Sequence, residues 1–289
     1  MTESIMTEPI MRKVKGDGIA LQLAVWKGKG NQVLCVHGLT ANCRCWDVIA
    51  SSLAPENKII AIDLRGRGHS DKPSAGYSLQ HHIRDILCLL DDLKHERIVL
   101  MGHSLGAFIS LAFAANYPER TEKIILMDGG GQLNQDQWDK VTLAIKPSLD
   151  RLGQVFPSFD AYVAHLKLAP FLQPWSQALE DYFQYESEVV EGGVRSRINP
   201  ANIQEEVQNF QQEVPSEYYP KVTCPVLILR ATNGILSQDD LVLPESSVDR
   251  MVSEIPDARR IDIKGTNHFS ILLQPNQKRD QAIREFLEK

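Results

Sequence analysis

The chain has 289 residues, of which 43% are hydrophobic and 24% are charged. This ordinary globular composition excludes a disordered or fibrous protein and leaves enough apolar residues for a large core. The formal net charge is −6, and no long block of lysine and arginine is present, so nucleic acid and anionic membranes are not expected partners. Length alone is compatible with two ordinary domains or one large domain.

Two absences predict a soluble, cytoplasmic protein. The segment from Met1 to Pro9 mixes Glu3 and Glu8 with isolated apolar residues, so it lacks the continuous apolar run of a secretory signal. No stretch of the sequence reaches the roughly 18 apolar residues that a membrane span requires. Composition does not decide the oligomeric state, for which we expect a monomer or a homodimer.

Short β-branched runs alternate with helical patterns, which predicts a mostly parallel sheet with helices on both faces. Several runs are apolar at every position, as in strands that are buried on both faces. Helices are predicted at 79–93, 105–116 and 275–288. The predicted strands are Ile19–Trp26, Val33–Val36, Ile59–Ile62, Ile98–Met101, Ile124–Met127, Val226–Leu229 and Arg260–Ile263.

The alternation stops after Met127 and resumes at Val226. Between about Gln132 and Val214 we find no strand-like run, and the segment is rich in helix formers and aromatic residues. We therefore predict one α/β core formed by residues 1–131 and 215–289, interrupted by a helical cap at 132–214. The cap aromatics are numerous enough to roof a pocket, although most are expected to pack the segment's own core; they are Trp138, Phe156, Phe159, Tyr162, Phe171, Trp175, Tyr182, Phe183 and Tyr185.

A G-x-S-x-G motif, Gly102 to Gly106, lies between the predicted strand ending at Met101 and the predicted helix starting at Leu105. A sharp turn from strand to helix needs small flanking residues, and it projects the central Ser104 above the sheet edge. The amino terminus of the following helix favours developing negative charge. The motif therefore predicts a nucleophilic serine.

Four further motifs complete a pattern. They are His37-Gly38-Leu39-Thr40 after one strand, the run from Asp63 to Ser70 after another, Trp46 with Asp71-Lys72-Pro73, and Gly265-Thr266-Asn267-His268 after the last strand. Together with the serine motif, they resemble the α/β-hydrolase family over essentially the whole chain except the insertion. The resemblance implies an α/β-hydrolase fold with a mostly parallel eight-stranded sheet flanked by helices, and it implies that the insertion is the cap.

The resemblance also implies roles for individual residues. Ser104 corresponds to the nucleophile and His268 to the general base. The backbone N–H groups of Leu39 and Leu105 correspond to the oxyanion hole. Dehalogenases and epoxide hydrolases of this family need an aspartate where Ser104 stands, so both are disfavoured.

The acid departs from the commonest pattern of the family. After the strand Val226–Leu229 most members have Gly-x-x-Asp, but here Asn233 is followed by Gly234 and no carboxylate occupies the expected position. Asp128 at the end of Ile124–Met127 is the favoured acid, because some hydrolases of this fold take it from that strand. Asp239 or Asp240, on a longer loop, is the alternative, and Asn233 or no acid at all is a further one.

The shifted acid resembles the branch that contains acetamidomethylenesuccinate hydrolase and the carbon–carbon bond hydrolases, which act on acidic metabolites. A substrate carboxylate could pair with a guanidinium of the cap, so Arg195 and Arg197 are candidate substrate-binding residues, although such arginines are more often solvated. Trp138 is a third candidate substrate-binding residue.

Neither a metal nor a cofactor is expected. The sequence contains no phosphate loop and no dinucleotide fingerprint. Cys43 and Cys45 lack a second pair at metal-ligand spacing, and an odd count of five cysteines favours reduced thiols.

The predicted function is a cofactor-independent serine hydrolase of a small molecule, with an ester, a lactone, an amide-like bond or a carbon–carbon bond as the target. Two alternatives remain open. One is a cofactor-free haloperoxidase or perhydrolase that uses the same triad, and the other is a non-catalytic ligand receptor on the same scaffold.

Overall fold

The computed structural model describes residues 8–289. The expected lack of a secretory signal depends on the segment from Met1 to Pro9, and most of that segment lies outside the described residues. Among residues 8–289, every helix is too short or too polar to cross a lipid bilayer.

The main feature of the fold is an eight-stranded sheet with the strand order β1-β2-β4-β3-β5-β6-β9-β10. Strand β2 pairs antiparallel with β1 and β4, and the other pairings in this sheet are parallel. In the described part of the chain the strands are β1 (Ile10–Lys15), β2 (Ala20–Trp26), β3 (Gln32–Val36), β4 (Lys58–Asp63), β5 (Ile98–His103), β6 (Thr121–Met127), β7 (Ser187–Val190), β8 (Gly193–Ser196), β9 (Val226–Ala231) and β10 (Ala258–Ile263).

All seven predicted strands are present in this sheet, with ends that differ by a few residues. Strand β1 was not predicted, because it lies at the sheet edge and all but one of its residues are exposed. Such a strand shows no apolar alternation, and its backbone pairing with β2 holds it in place.

Helices cover both faces of the sheet. Alternate residues of β3 point to two separate buried clusters. Val33 and Cys35 pack with α1 and α10 on one face, whereas Leu34 and Val36 pack with α2, α3 and α8 on the other. The helices are α1 (Asp47–Leu53), α2 (Leu79–Leu93), α3 (Leu105–Asn116), α4 (Gln135–Asp150), α5 (Phe159–Leu166), α6 (Gln177–Glu186), α7 (Pro200–Phe210), α8 (Glu245–Glu254), α9 (Ser270–Leu273) and α10 (Gln277–Leu287).

The segment between β6 and β9 contains α4 to α7, but it is not wholly helical. Strands β7 and β8 form an antiparallel hairpin, so the prediction that this segment lacks strands is wrong. Each strand has four residues, which is too short for a legible alternation. Gly193 lies in the left-handed region at φ 144°, and a Cβ there would come within 1.9 Å of the Phe156 carbonyl oxygen.

The same segment shares a core with the sheet. Tyr162, Phe171 and Tyr182 belong to the buried cluster that contains Ile49 of α1. The insertion therefore shares a buried core with one face of the sheet.

Candidate active site

Ser104 lies at the turn between β5 and α3, with φ 54° and ψ −122°. This conformation is unfavourable for a residue with a side chain, and it persists because strand and helix fix both ends of the turn. The Ser104 N–H donates to the Met127 carbonyl at 3.1 Å, which ties the turn to β6. The side chain is thereby held at the carboxyl edge of the sheet.

Two glycines make this turn possible. A Cβ at Gly102 would lie 2.0 Å from the Gly106 carbonyl oxygen, and one at Gly106 would lie 1.9 Å from the Val36 carbonyl oxygen. Both distances are far below van der Waals contact, so any other residue would push α3 away from β3 or β5. The motif spacing has a steric cause in this fold.

His268 and Asp128 are joined by a hydrogen bond, although 140 positions separate them in the sequence. The distance from His268 Nδ1 to Asp128 Oδ2 is 2.7 Å, and both side chains are buried. A carboxylate at Nδ1 fixes the tautomer that leaves Nε2 free to accept a proton. His268 also lines the same cavity as Ser104.

The structure does not bring the alternative acids to His268. The Asp240 carboxylate accepts hydrogen bonds from the backbone N–H groups of Ile235, Leu236 and Ser237 at 2.6 to 2.9 Å, so it caps its own loop. Asp239 is exposed. The Asn233 N–H donates to the Thr266 carbonyl at 2.9 Å, which joins the two loops without reaching the imidazole.

A second histidine supports the site. His103 Nε2 donates to the backbone carbonyl of His268 at 2.8 Å, and the two rings lie 4.5 Å apart. Burial lowers the pKa of His103 well below its ordinary value, and the charge of His268 acts in the same direction. His103 therefore stays neutral and holds the His268 loop. His103 lies inside the serine motif, and no local pattern indicates a partner so distant along the chain.

The loop after β3 carries Leu39, one of the two expected oxyanion donors. His37 Nδ1 binds the Gly38 carbonyl at 2.7 Å, and His37 Nε2 accepts the Leu64 N–H at 3.0 Å. Arg67 Nε donates to the Leu39 carbonyl at 3.0 Å. Leu105 is the first residue of α3, so its N–H has no acceptor within that helix. The loop is thus held rigidly beside Ser104.

Ser104 opens into a small cavity of about 80 Å³. Its floor comes from the Leu39 loop and its walls come from α4, α6 and α9, with Ile145, Leu149 and Tyr182 contributed by the insertion. Of the aromatic residues predicted to roof a pocket, Tyr182 lines this cavity, and Phe171 and Phe183 line the adjoining one.

The three predicted substrate-binding residues lie elsewhere. Trp138 packs on Phe210 with ring centroids 5.8 Å apart, in a different depression of the surface. Arg195 on β8 binds Glu188 at 2.9 Å, and Arg197 lies 3.7 Å from the same carboxylate. Both arginines border a groove that contains neither Ser104 nor His268. The hairpin β7–β8, which the sequence did not predict, turns them away from the cavity.

No group of three or more histidine, cysteine, aspartate or glutamate side chains in residues 8–289 is arranged to hold a metal ion. The five cysteines are free thiols.

Comparisons with known proteins agree with this geometry. A family model described as alpha/beta hydrolase fold matches residues 31–275. The 2-(acetamidomethylene)succinate hydrolase of Mesorhizobium japonicum is 28% identical over 244 residues, which cover 84% of this chain and 83% of that protein. The 2-hydroxy-6-oxo-2,4-heptadienoate hydrolase of Pseudomonas putida is 27% identical over 167 residues, which cover 56% of this chain and 52% of that protein.

The fold comparison covers still more of the chain. A crystal structure of E-2-(acetamidomethylene)succinate hydrolase matches with a TM-score of 0.85 at 26% identity, and the match covers 97% of this chain and 100% of that one. An enol-lactonase from Burkholderia xenovorans, at 17% identity and a TM-score of 0.72, shares the fold. The predicted fold class is confirmed, and the protein belongs to the α/β-hydrolase family and is a hydrolase of that family.

Proposed function

We propose that the protein is a serine hydrolase that transfers an acyl group from a small molecule to water through an acyl-enzyme at Ser104. The observation that supports this most strongly is the buried hydrogen bond between His268 and Asp128, next to a serine on a strained turn. The reaction requires no cofactor.

In the first half of the reaction, Ser104 Oγ attacks the carbonyl carbon while His268 Nε2 takes the hydroxyl proton. The negative charge that forms on the carbonyl oxygen is stabilised by the N–H groups of Leu39 and Leu105, each contributing about 3 kcal/mol in the transition state. The intermediate then collapses, the bond to the leaving group breaks, and His268 delivers its proton to that group.

In the second half, water attacks the acyl-enzyme while His268 takes a proton from it. The second tetrahedral intermediate expels Ser104 Oγ, which regains the proton, and the carboxylic acid leaves. Asp128 keeps the imidazole oriented and stabilises its protonated form in both halves. The same steps cleave an ester, a lactone, an amide-like bond or a carbon–carbon bond, in which case carbon receives the proton.

Cys45 lines the cavity and is the rival nucleophile. Burial raises the pKa of its thiol well above the ordinary value, and the nearby Asp47 charge adds to the increase. Because the thiolate is the reactive form, a buried protonated thiol is a poor nucleophile. Ser104 is therefore the favoured site of acylation.

The relatives raise the question of substrate charge. The Mesorhizobium enzyme is named for a succinate derivative, and succinate carries carboxylates. An anionic substrate of that kind would require an available cation near Ser104.

Labelling with a fluorophosphonate probe tests the proposal. We expect one covalent adduct, located on Ser104 by peptide mass spectrometry, together with turnover of short-chain p-nitrophenyl esters. Ser104→Ala should lose both, whereas Ser246→Ala, which alters an exposed serine, should keep both.

Two other outcomes would contradict the proposal. Absence of both labelling and turnover in the folded protein would favour the ligand receptor. Peracid formation from acetate and hydrogen peroxide that greatly exceeds ester hydrolysis would favour the perhydrolase.

A further inference from the structure

The cavity at Ser104 adjoins a second cavity. This neighbour has a volume of about 250 Å³ and lies between the insertion and α9. Five residues line both spaces, so the two cavities are direct neighbours. These shared residues are Thr40, Ser148, Tyr182, Phe269 and Leu273.

The walls of the second cavity are mainly apolar. Leu166, Phe171, Leu172 and Phe183 contribute buried side chains. Ala169 lines this cavity but not the cavity at Ser104. A substrate group that enters this space therefore gains by leaving water only if it is itself apolar.

Charge is almost absent from both walls. Within residues 8–289, neither cavity is lined by a lysine or a carboxylate, and Arg151 is the one guanidinium. The remaining titratable side chains on the walls are the Cys45 thiol, the Tyr182 hydroxyl and three histidines, namely His103, His268 and the exposed His165.

Arg151 already forms an ion pair and hydrogen bonds within the insertion. Its Nη2 lies 2.8 Å from both carboxylate oxygens of Glu186, and Nε donates to the Tyr162 hydroxyl at 3.2 Å. Its Nη1 donates to the Ser148 carbonyl. Arg151 and Glu186 are both buried, and their opposite charges cancel within the ion pair. A substrate carboxylate placed here would have to compete with Glu186.

We propose that the site takes neutral substrates with an apolar acyl chain, which runs from Ser104 past Tyr182 into the second cavity, and that it discriminates against dicarboxylates. This inference rests on the proposed function. The expected class is esters or thioesters of unbranched acids of medium length. Each methylene that enters the cavity should raise kcat/KM about fourfold, equivalent to about 0.8 kcal/mol, until the space is filled.

Two series of p-nitrophenyl esters test the proposal. In the first, kcat/KM should rise from acetate through butyrate and hexanoate to octanoate. In the second, valerate is compared with the hydrogen glutarate ester, in which a carboxylate replaces the terminal methyl group. We expect valerate to be preferred at least 100-fold, and a preference for glutarate or a flat chain-length profile would overturn the proposal.

Substitutions in the second cavity test whether the acyl chain of the substrate enters it. Ala169→Phe should fill part of this space and lower the ratio of octanoate to acetate turnover at least tenfold. Ala164→Phe, an exposed position on α5 that lines neither cavity, is the matched control and should keep the wild-type ratio. Leu273→Arg should shift preference towards the glutarate ester at least tenfold. Equal octanoate to acetate ratios in Ala169→Phe and wild type would contradict the route through the second cavity.

The fluorophosphonate adduct separates this inference from the function on which it rests. If Ser104 is labelled but glutarate is preferred, the substrate class is wrong and the serine mechanism stands. If Ser104 is not labelled and no ester is hydrolysed, both proposals are wrong.

Discussion

The carboxylate of Asp128 accepts a hydrogen bond from the backbone N–H of Ala231 at 3.0 Å. Asp128 follows β6, whereas Ala231 ends β9, the neighbouring strand after which most family members place their acid. Oδ1 is held by Ala231, and Oδ2 is thereby aimed at His268. The end of β9 carries no acid of its own, but it orients Asp128, the acid that we propose.

Asp128→Asn tests this arrangement. The amide can present an N–H to His268 and stabilise the wrong tautomer, so kcat/KM for a reference ester should fall about ten-thousandfold with the fold retained. Asp239→Asn, which changes an exposed carboxylate, is the matched control and should stay within twofold of wild type. Steady-state kinetics and circular dichroism check both variants, and a near-wild-type rate for Asp128→Asn would assign the acid elsewhere.

Glu206→Gln should weaken both stability and turnover. Glu206 on α7 of the insertion binds Arg67 and His82 of the core, and all three side chains are buried. Burial raises the pKa of Glu206, but the charges of Arg67 and His82 outweigh it and bring the pKa to about 2. The amide would leave Arg67 buried without a counter-charge, which costs about 3–5 kcal/mol of unfolding free energy.

Turnover should depend on the same contact, because Arg67 also donates a hydrogen bond to the carbonyl of Leu39, a proposed oxyanion donor. We expect kcat to fall more than tenfold in Glu206→Gln. Urea unfolding and kcat are measured beside Glu191→Gln, which removes an exposed carboxylate from the β7–β8 turn and should change neither. Equal unfolding free energies for the two variants would refute the role of this ion pair.

Acid should destabilise the protein through His37. Burial lowers the pKa of His37 from 6.5 to about 3, although the hydrogen bond to the Gly38 carbonyl acts in the opposite direction, and the nearby charge of Arg67 also lowers the pKa. A proton on Nε2 would face the Leu64 N–H, so the folded state excludes it. The unfolded chain takes up a proton below pH 6.5 and the folded chain does not, so stability is complete above 6.5 and declines towards pH 3.

The expected slope is about 1.4 kcal/mol per pH unit for this histidine. Urea unfolding of wild type and His37→Gln at pH 7, 6, 5 and 4 isolates the contribution of His37 to the unfolding free energy. Glutamine can accept a hydrogen bond from the Leu64 N–H but does not titrate. The stability advantage of wild type should shrink as pH falls. Parallel pH profiles for the two proteins would show that His37 titrates alike in the folded and unfolded states.

Arg195→Ala and Arg197→Ala should leave catalysis unchanged. Both side chains are partly exposed, pair with Glu188, and border a groove separate from the Ser104 cavity. Exposed pairs of this kind contribute about 1 kcal/mol or less. We expect kcat/KM for the valerate and hydrogen glutarate esters to stay within twofold of wild type. A loss of activity confined to the glutarate ester would show that these arginines bind the substrate carboxylate.

The seven buried or half-buried strands and the serine turn could be predicted because their signals are local. A strand, a G-x-S-x-G turn and a helix lie within about twenty consecutive residues, and each has a short-range cause in burial or steric crowding. Edge strand β1 and hairpin β7–β8 were missed for the same reason, since neither has a local apolar pattern.

The sequence by itself determined the α/β class, the position of Ser104 and the late histidine, because periodicity, turn chemistry and motif order are properties of neighbouring residues. Tertiary structure alone decided that Asp128 reaches His268, since β6 and β9 become neighbours only in the assembled sheet. It also decided that Arg195 and Arg197 turn away from the cavity and that Arg151 is neutralised by Glu186. Contacts between side chains far apart in sequence depend on strand order and on packing of the insertion, which no local pattern encodes.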